Sequence, residues 1–351
     1  MDRILRVLVV DDSAYVRKVI RQMLSRSPFI DVVGTARDGE EALSLVEELH
    51  PDVVTLDLIM PGIDGLGFIR EQMSRAPLPI VVVSIASETS QSVLDALDSG
   101  AIDFVQKPSA LATEKVFEMS DDLIAKVKAA ANVRIAAVNP PRRALQPGSR
   151  LRTSSKTPDI VVIGVSTGGP QALKYLVPSL AADFPLPIAV VMHMPVGYTE
   201  IYAKRLNELS LLKVGEAQGD DELEAGCVLF APAGRHLTFV RSNSGVVTHL
   251  DARPFDTLHR PSVDVLFRSA ADTFGGNVLG VVMTGMGDDG KSGSSWIKSK
   301  GGIVFAEAEE SCVVFGMPRA VIEAGLASRT VPLERLAEAI SEVAYGESPH
   351  R

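Results

Sequence analysis

Short β-branched runs alternate with longer amphipathic stretches through the first third of the chain. "RVLVV", "DVVGTA", "DVVTLDL", "PIVVVSI" and "IDFVQKP" predict five strands, and "YVRKVIRQML" and "GEEALSLVEEL" between them carry apolar residues at helical spacing. Strands alternating with helices predict an α/β domain over residues 1–125 with a doubly wound parallel sheet. The pattern then dissolves. "NPPRRALQPGSRLRTSSKTP" is rich in Pro, Ser and Arg and has no acidic residue, so residues 126–157 are expected to be a linker.

A second set of apolar runs begins at Asp159: "DIVVIGVS", "PIAVVMHMP", "CVLFAP", "HLTFV", "GVVTHL", "VLGVVMTGMG" and "GGIVFAEA". They predict a second α/β domain, Rossmann-like, over 158–347 with some antiparallel strands. "CVLFAPAGRHLTFV" has only a short glycine-containing connection and is expected to be a hairpin. A final helix is expected from about Leu333 to Tyr345.

The length of 351 residues agrees with two domains, and 46% hydrophobic residues supply a core for each. A net charge of -9 argues against general affinity for nucleic acid, and no helix-turn-helix segment follows the linker. The first apolar run is cut short by Asp11 and Asp12, where a signal peptide needs a longer uncharged core. No stretch approaches a membrane span, so a cytoplasmic location without membrane insertion is expected. The two cysteines, Cys227 and Cys312, lie in separate apolar runs and are expected to be core thiols.

In an open parallel sheet, groups at the carboxyl ends of strands collect along one edge, where ligands bind. In the first domain that edge gathers Asp11, Asp12, Asp57, Ser84 and Lys107. Three carboxylates so assembled call for a hard cation, and Mg²⁺ with oxygen ligands fits. Lys107 offers a fixed positive charge to a phosphoryl oxygen and the Ser84 hydroxyl a donor to another.

"VDDS", "LDLIMPGIDG" and "GAIDFVQKP" resemble the receiver domains of two-component response regulators, which are flavodoxin-like. The resemblance implies that Asp57 accepts a phosphoryl group from a histidine kinase. It further implies that Asp12, Asp57 and the Ile59 carbonyl ligate Mg²⁺, that Asp11 helps through water, and that Ser84 and Phe104 are switch residues.

In the second domain "GVSTGG" fits G-x-S-x-G at a strand-to-helix turn, which would present Ser166 above a sheet. It does not fit the dinucleotide pattern G-x-G-x-x-G, because the serine stands where the second glycine is needed. A serine hydroxyl needs a base, and the base an orienting carboxylate. His193 ends the next strand, and Asp288 with Asp289 follows "VLGVVMTGMG". This order, Ser, His, Asp, differs from the Ser, Asp, His order of α/β-hydrolases. His236 and His259 end no strand beside the serine and are assigned to packing or surface roles.

"GVSTGGP", "HMP", "RPSVDVLF", "TGMGDDG" and "SCVVFGMP" together resemble the catalytic domain of the chemotaxis protein-glutamate methylesterases, the CheB family. The resemblance implies Ser166 as nucleophile, His193 as general base and acid, and Asp289 rather than Asp288 as the orienting carboxylate. Backbone N–H groups near Thr167 and Met286 would then hold the oxyanion. It also implies a phosphorylation-activated hydrolase that demethylates glutamyl methyl esters and deamidates glutamines on the cytoplasmic helices of chemoreceptors. No cofactor is expected in the catalytic domain. A phospho-switched adaptor that binds receptors without turnover is the competing expectation.

Overall fold

The computed structural model describes residues 3–85, 90–107, 115–133, 157–243 and 245–346. The described residues form two compact units, one ending at residue 133 and one starting at 157. Pro108, most of the predicted linker and Glu347, the last residue of the predicted second domain, lie outside the described residues.

The first unit runs β1 (Leu5–Val10), α1 (Ala14–Leu24), β2 (Ile30–Ala36), α2 (Gly39–Leu49), β3 (Val53–Leu56), α3 (Gly65–Arg75), β4 (Ile80–Ile85), α4 (Ser90–Asp98), β5 (Asp103–Lys107) and α5 (Lys115–Ala130). Its five strands are parallel in the order β2-β1-β3-β4-β5. That is the doubly wound order expected from the alternating pattern. All four residues of β3 are buried, as a central strand covered on both faces requires. Three helices begin where a short polar side chain caps them. Ser13 accepts from Val16 N–H, Asp38 from Glu41 N–H and Asp64 from Gly67 N–H. The domain end expected at residue 125 falls inside α5. Apart from Val127, "AKVKAA" is made of good helix formers, and burial of Val127 and Ala130 carries the helix on to Ala130.

The second unit contains β6 (Ile160–Val165), α6 (Gly169–Leu176), β7 (Ile188–Met192), α7 (Thr199–Leu209), β8 (Lys213–Glu216), β9 (Cys227–Phe230), β10 (His236–Ser242), β11 (Gly245–Asp251) and α8 (Val263–Phe274). It continues with β12 (Val278–Val282), α9 (Lys291–Ser299), β13 (Ile303–Glu307), α10 (Met317–Glu323), β14 (Arg329–Val331) and α11 (Leu333–Ala344). Seven strands form one parallel sheet in the order β14-β13-β12-β6-β7-β9-β8. The strand order reverses between β6 and β12, which makes the carboxyl ends of these neighbours the switch point. β6, β7 and β12 are buried at every residue, and their continuous apolar runs reflect cover on both faces.

The predicted hairpin between β9 and β10 does not form. Both edges of β9 are occupied, by β7 on one side and β8 on the other, so no ladder position remains for β10. β10 pairs instead with β11 in a separate antiparallel ribbon, His236 opposite Asp251 through Ser242 opposite Gly245. The strand that takes the edge, β8, is four residues long with one buried position, too short and too polar to register as a hydrophobic run. Both cysteines are buried and free.

Candidate functional site

Beside the switch point of the seven-stranded sheet, Val165 at the end of β6 is in register with Met192 at the end of β7. The next residues, Ser166 and His193, therefore leave adjoining strands together, and the His193 N–H donates to the Val165 carbonyl at 3.1 Å. On the other side of β6, Ser166 N–H donates to the Thr284 carbonyl at 3.0 Å, just beyond β12. Ser166 starts a tight turn in which Gly169 N–H returns to the Ser166 carbonyl at 2.7 Å. Gly168, at φ +78°, caps α6, and a Cβ there would lie 2.4 Å from Val313 Cβ. The left-handed residue of this turn is thus the glycine. Ser166 is not among the described non-glycine residues of positive φ, so the serine itself is presented without left-handed backbone.

His193 Nε2 lies 2.9 Å from Asp289 Oδ2, with both side chains largely buried. Asp289 is held from every direction. Oδ1 accepts from the Ser262 hydroxyl (3.0 Å) and the Asp264 N–H (2.9 Å), and Oδ2 also accepts from the Val263 N–H (2.8 Å). These donors are the first turn of α8 and its capping serine, so the carboxylate sits at a helix N-terminus. Burial alone would raise its pKa, but the His193 hydrogen bond and charge and the α8 amides outweigh it and bring it down to about 2. Asp289 is then anionic throughout the physiological range. Its neighbour Asp288 is exposed, and its carbonyl accepts from the Lys291 N–H at 3.0 Å.

The other ring nitrogen, His193 Nδ1, is buried and has no hydrogen-bond partner among the described residues. With Nε2 committed to a carboxylate, the neutral ring carries its proton there and its lone pair on Nδ1. Thr167 is buried and Met286 half-buried, on the two turns flanking Ser166. Gly285 allows these turns to meet, because a Cβ there would stand 2.8 Å from Ser166 Cβ and 2.4 Å from Met317 Sδ. A serine hydroxyl, an unpaired ring nitrogen, a fixed carboxylate and two turns of backbone amides are groups that acyl transfer can use.

Two histidines assigned to packing or surface roles take part differently. His236 has no solvent exposure. It accepts from the Ser262 N–H at 3.1 Å through Nδ1, and its Nε2 lies 3.1 Å from the Pro254 carbonyl, so it fixes the serine that holds Asp289. Burial lowers its pKa and keeps it neutral in that role. His259 stacks on His193, with ring centroids 4.0 Å apart and planes 26° apart. It lies in the loop between β11 and α8, where no periodic pattern could mark it. Asp264 was also missed. It accepts from Gly290 N–H (2.9 Å) and Gly293 N–H (2.6 Å), bracing the start of α9 beside Asp289. Burial, with Asp289 nearby, pushes its carboxyl up to about 6.

In the first unit, Asp11 follows β1, Asp57 follows β3 and Lys107 ends β5. Lys107 Nζ donates to Asp11 Oδ2 at 2.6 Å and to Asp57 Oδ2 at 2.7 Å, all three side chains being almost fully buried. Oxygens of Asp11, Asp12 and Asp57 lie within 4.8 Å of one another. Asp12 is exposed, as is Ile59. Burial raises the Asp11 carboxyl above its ordinary value in spite of the Lys107 charge, and the Asp57 charge adds to the rise. Such repulsion among hard oxygen donors fits a divalent cation at this edge. Ser84 on β4 is 1% exposed and Phe104 on β5 2% exposed. The Phe104 carbonyl accepts from Lys126 Nζ at 2.7 Å, and the same ammonium stands 5.7 Å from the ring centroid.

Among the described residues no helix is long and apolar enough to cross a membrane. Comparison with known families matches residues 7–116 to the response regulator receiver domain and residues 161–340 to the CheB methylesterase. The chain is 50% identical over 331 residues to protein-glutamate methylesterase/protein-glutamine glutaminase 5 of Myxococcus xanthus, covering 94% of this chain and 95% of the relative. It is 45% identical to the protein-glutamate methylesterase/protein-glutamine glutaminase of Symbiobacterium thermophilum, covering 99% of each. Among solved structures, the Thermotoga maritima CheB methylesterase catalytic domain matches with a TM-score of 0.52 and 42% identity, over 53% of this chain and 99% of that one.

Proposed function

The chain belongs to the CheB family of protein-glutamate methylesterases, and on that premise we propose that Ser166 is its nucleophile, His193 its general base and acid, and Asp289 the carboxylate that orients the histidine. The reaction is hydrolysis of glutamyl methyl esters, releasing methanol, and of glutamine side-chain amides, releasing ammonia, on chemoreceptors. A receiver domain on the same chain makes it phosphorylation-regulated.

The observation that carries this division of roles is the His193–Asp289 contact of 2.9 Å, on a ring whose other nitrogen is buried and has no partner among the described residues. An unpaired polar atom costs about 1–3 kcal/mol when buried, so it is expected to have a partner in the working enzyme. Ser166, from the adjoining strand end, supplies one. His193 Nδ1 takes the Ser166 proton as Oγ attacks the ester or amide carbon, and Asp289 stabilises the imidazolium that forms. Backbone N–H groups near Thr167 and Met286 hold the oxyanion, each such donor being worth about 10² to 10³ in rate. Methoxide is a poor leaving group, so His193 returns the proton to it, and water then releases glutamate from the acyl-enzyme by the same route in reverse.

At the other edge, Asp57 accepts the phosphoryl group of a histidine kinase. Asp11, Asp12, Asp57 and the Ile59 carbonyl would hold Mg²⁺, which supplies positive charge to incoming phosphoryl oxygens when bound. Lys107 gives a second positive charge, and Ser84 and Phe104 are the residues that respond. No cofactor is proposed for the catalytic unit, and the protein is placed in the cytoplasm without membrane insertion or nucleic-acid binding. An adaptor without turnover is not favoured, since the relatives bear the name of the enzyme activity.

Methanol release from methylated receptor membranes tests the assignment. Ser166→Ala should lower it by at least ~10³ while the protein remains folded. Release that persists in this variant would remove Ser166 from the role of nucleophile.

A further inference from the structure

One buried carboxyl is used by no step of the proposed reaction, although a single residue, Thr284, links it to the serine turn. Glu307 ends β13 and has no solvent exposure, and its Oε2 accepts the backbone N–H of Thr284 at 2.8 Å. Thr284 joins three parts of the site. Its carbonyl accepts from Ser166 N–H at 3.0 Å, its hydroxyl donates to the Thr167 carbonyl at 3.0 Å, and the same hydroxyl accepts from Val314 N–H at 2.9 Å. The next residue, Gly285, leads into Met286.

The other carboxyl oxygen, Oε1, lies 3.0 Å from the Ser311 hydroxyl, which also faces the Ala308 carbonyl at 3.2 Å and accepts from Leu333 N–H at 2.9 Å. A proton on Oε1 satisfies all of them: the acid donates to Ser311 Oγ and Ser311 donates to Ala308. The ionised form leaves a full charge in a site without solvent exposure, and no salt bridge to Glu307 occurs among the described residues. Cations on the elements around β13 have other partners: Arg329 of β14 with Glu342 (2.7 Å), Arg319 of α10 with Glu323 (2.6 Å), Arg335 of α11 with Glu338 (3.3 Å) and Lys298 of α9 with Ser328 (3.0 Å). Among the described residues none of them pairs with Glu307. Cys312 touches the Glu307 carbonyl, and Glu334 at the start of α11 adds negative charge. Burial, reinforced by Glu334 and only partly offset by the Thr284 and Ser311 bonds, pushes the carboxyl up to about 7.

We propose that Glu307 is a positioning residue that works as a neutral acid, holding Thr284 and through it the Ser166 turn and the Gly285–Met286 turn, so that its ionisation limits hydrolysis on the alkaline side. The proposal rests on Ser166 being the nucleophile. A primary amide presents the same pair of groups as the neutral acid, an acceptor for Thr284 N–H and a donor for Ser311 Oγ. Glu307→Gln is thus a copy of the active form that cannot ionise, whereas Glu307→Leu leaves Thr284 N–H without its acceptor.

The test uses the full chain with saturating phosphodonor and follows kcat for methanol release from methylated receptor membranes between about pH 6 and pH 9.5, spanning the working range of such a group. Wild type should fall by up to about tenfold per pH unit above the titration, while Glu307→Gln keeps at least about half its plateau. Both proteins share one receiver, so the rising ratio of variant to wild type isolates Glu307. Glu307→Leu should lose about 5- to 100-fold at every pH, as expected for an orphaned buried donor. Circular dichroism melting of each variant confirms that it is folded. A variant-to-wild-type ratio for Glu307→Gln that does not change with pH, or wild-type rates in a folded Glu307→Leu, would overturn the proposal. A wild type that releases no methanol would overturn the hydrolase reading and this inference with it.

Discussion

The carboxyl edge of each sheet carries a carboxylate, Asp57 directly after β3 and Asp289 in the loop between β12 and α9, and the two are held in opposite ways. Asp57 meets a lysine and one backbone N–H, with Lys107 on Oδ2 at 2.7 Å and Leu58 N–H on Oδ1 at 2.8 Å. Asp289 has four donors, two on each oxygen, three of them from the start of α8. A carboxylate with lone pairs to spare beside a fixed cation can accept a phosphoryl group. One saturated by a helix N-terminus can only stay anionic and hold its partner still. The residue type is the same, and the surrounding donors suit the two carboxylates to the different roles proposed for them, nucleophile and orienter.

The comparison breaks most sharply at the serine edge. Beyond the loss expected for Ser166→Ala, Asp289→Asn should cost about 10² to 10⁴ in kcat for methanol release, because the amide no longer fixes the His193 tautomer. Rates near wild type would mean that the α8 amides, not His193, are what Asp289 serves. At the receiver edge Asp57→Ala should leave the basal rate within about twofold and abolish the response to phosphodonor, since it removes the acceptor without touching acyl transfer. A large fall in basal rate would merge the two edges that the comparison separates. His259→Ala should have a smaller effect, about 2- to 10-fold, the worth of one ring stacking on His193. No change in kcat or in its pH profile would make that stacking incidental.

The smallest effect concerns stability. Asp289 is lowered from 3.8 to about 2, so its contribution is present above pH 3.8 and lost as pH falls through about 2. It amounts to about 2 kcal/mol at neutral pH. Acid unfolding monitored by circular dichroism should show this part of the transition in wild type and not in Asp289→Asn.

Much of both edges was legible because strand ends carry their chemistry in consecutive letters. Asp11, Asp57 and Lys107 each follow or end an apolar run, as do Ser166 and His193, and parallel pairing brings such ends together. The sequence also separated Asp288 from Asp289 only through a family resemblance, whereas the α8 amides separate them by geometry. What was missed lies where position is set by distant packing. The β9–β10 hairpin was a reasonable local reading, overruled because β8 takes the free edge of β9. β14, three residues long, is too short to stand out. His259 reaches His193 from an irregular loop, and Glu307 looks like a strand-end acid until its burial is seen.

The separation of a phosphoacceptor edge from a hydrolytic edge is tested most directly by methanol release from methylated receptor membranes, with and without a small phosphodonor, in wild type, Asp57→Ala and Ser166→Ala. Phosphorylation of each protein is followed in parallel. The account predicts stimulation in wild type, unstimulated basal release in Asp57→Ala, and phosphorylation without release in Ser166→Ala. Stimulated release from Asp57→Ala, or release from Ser166→Ala at the wild-type rate, would contradict it.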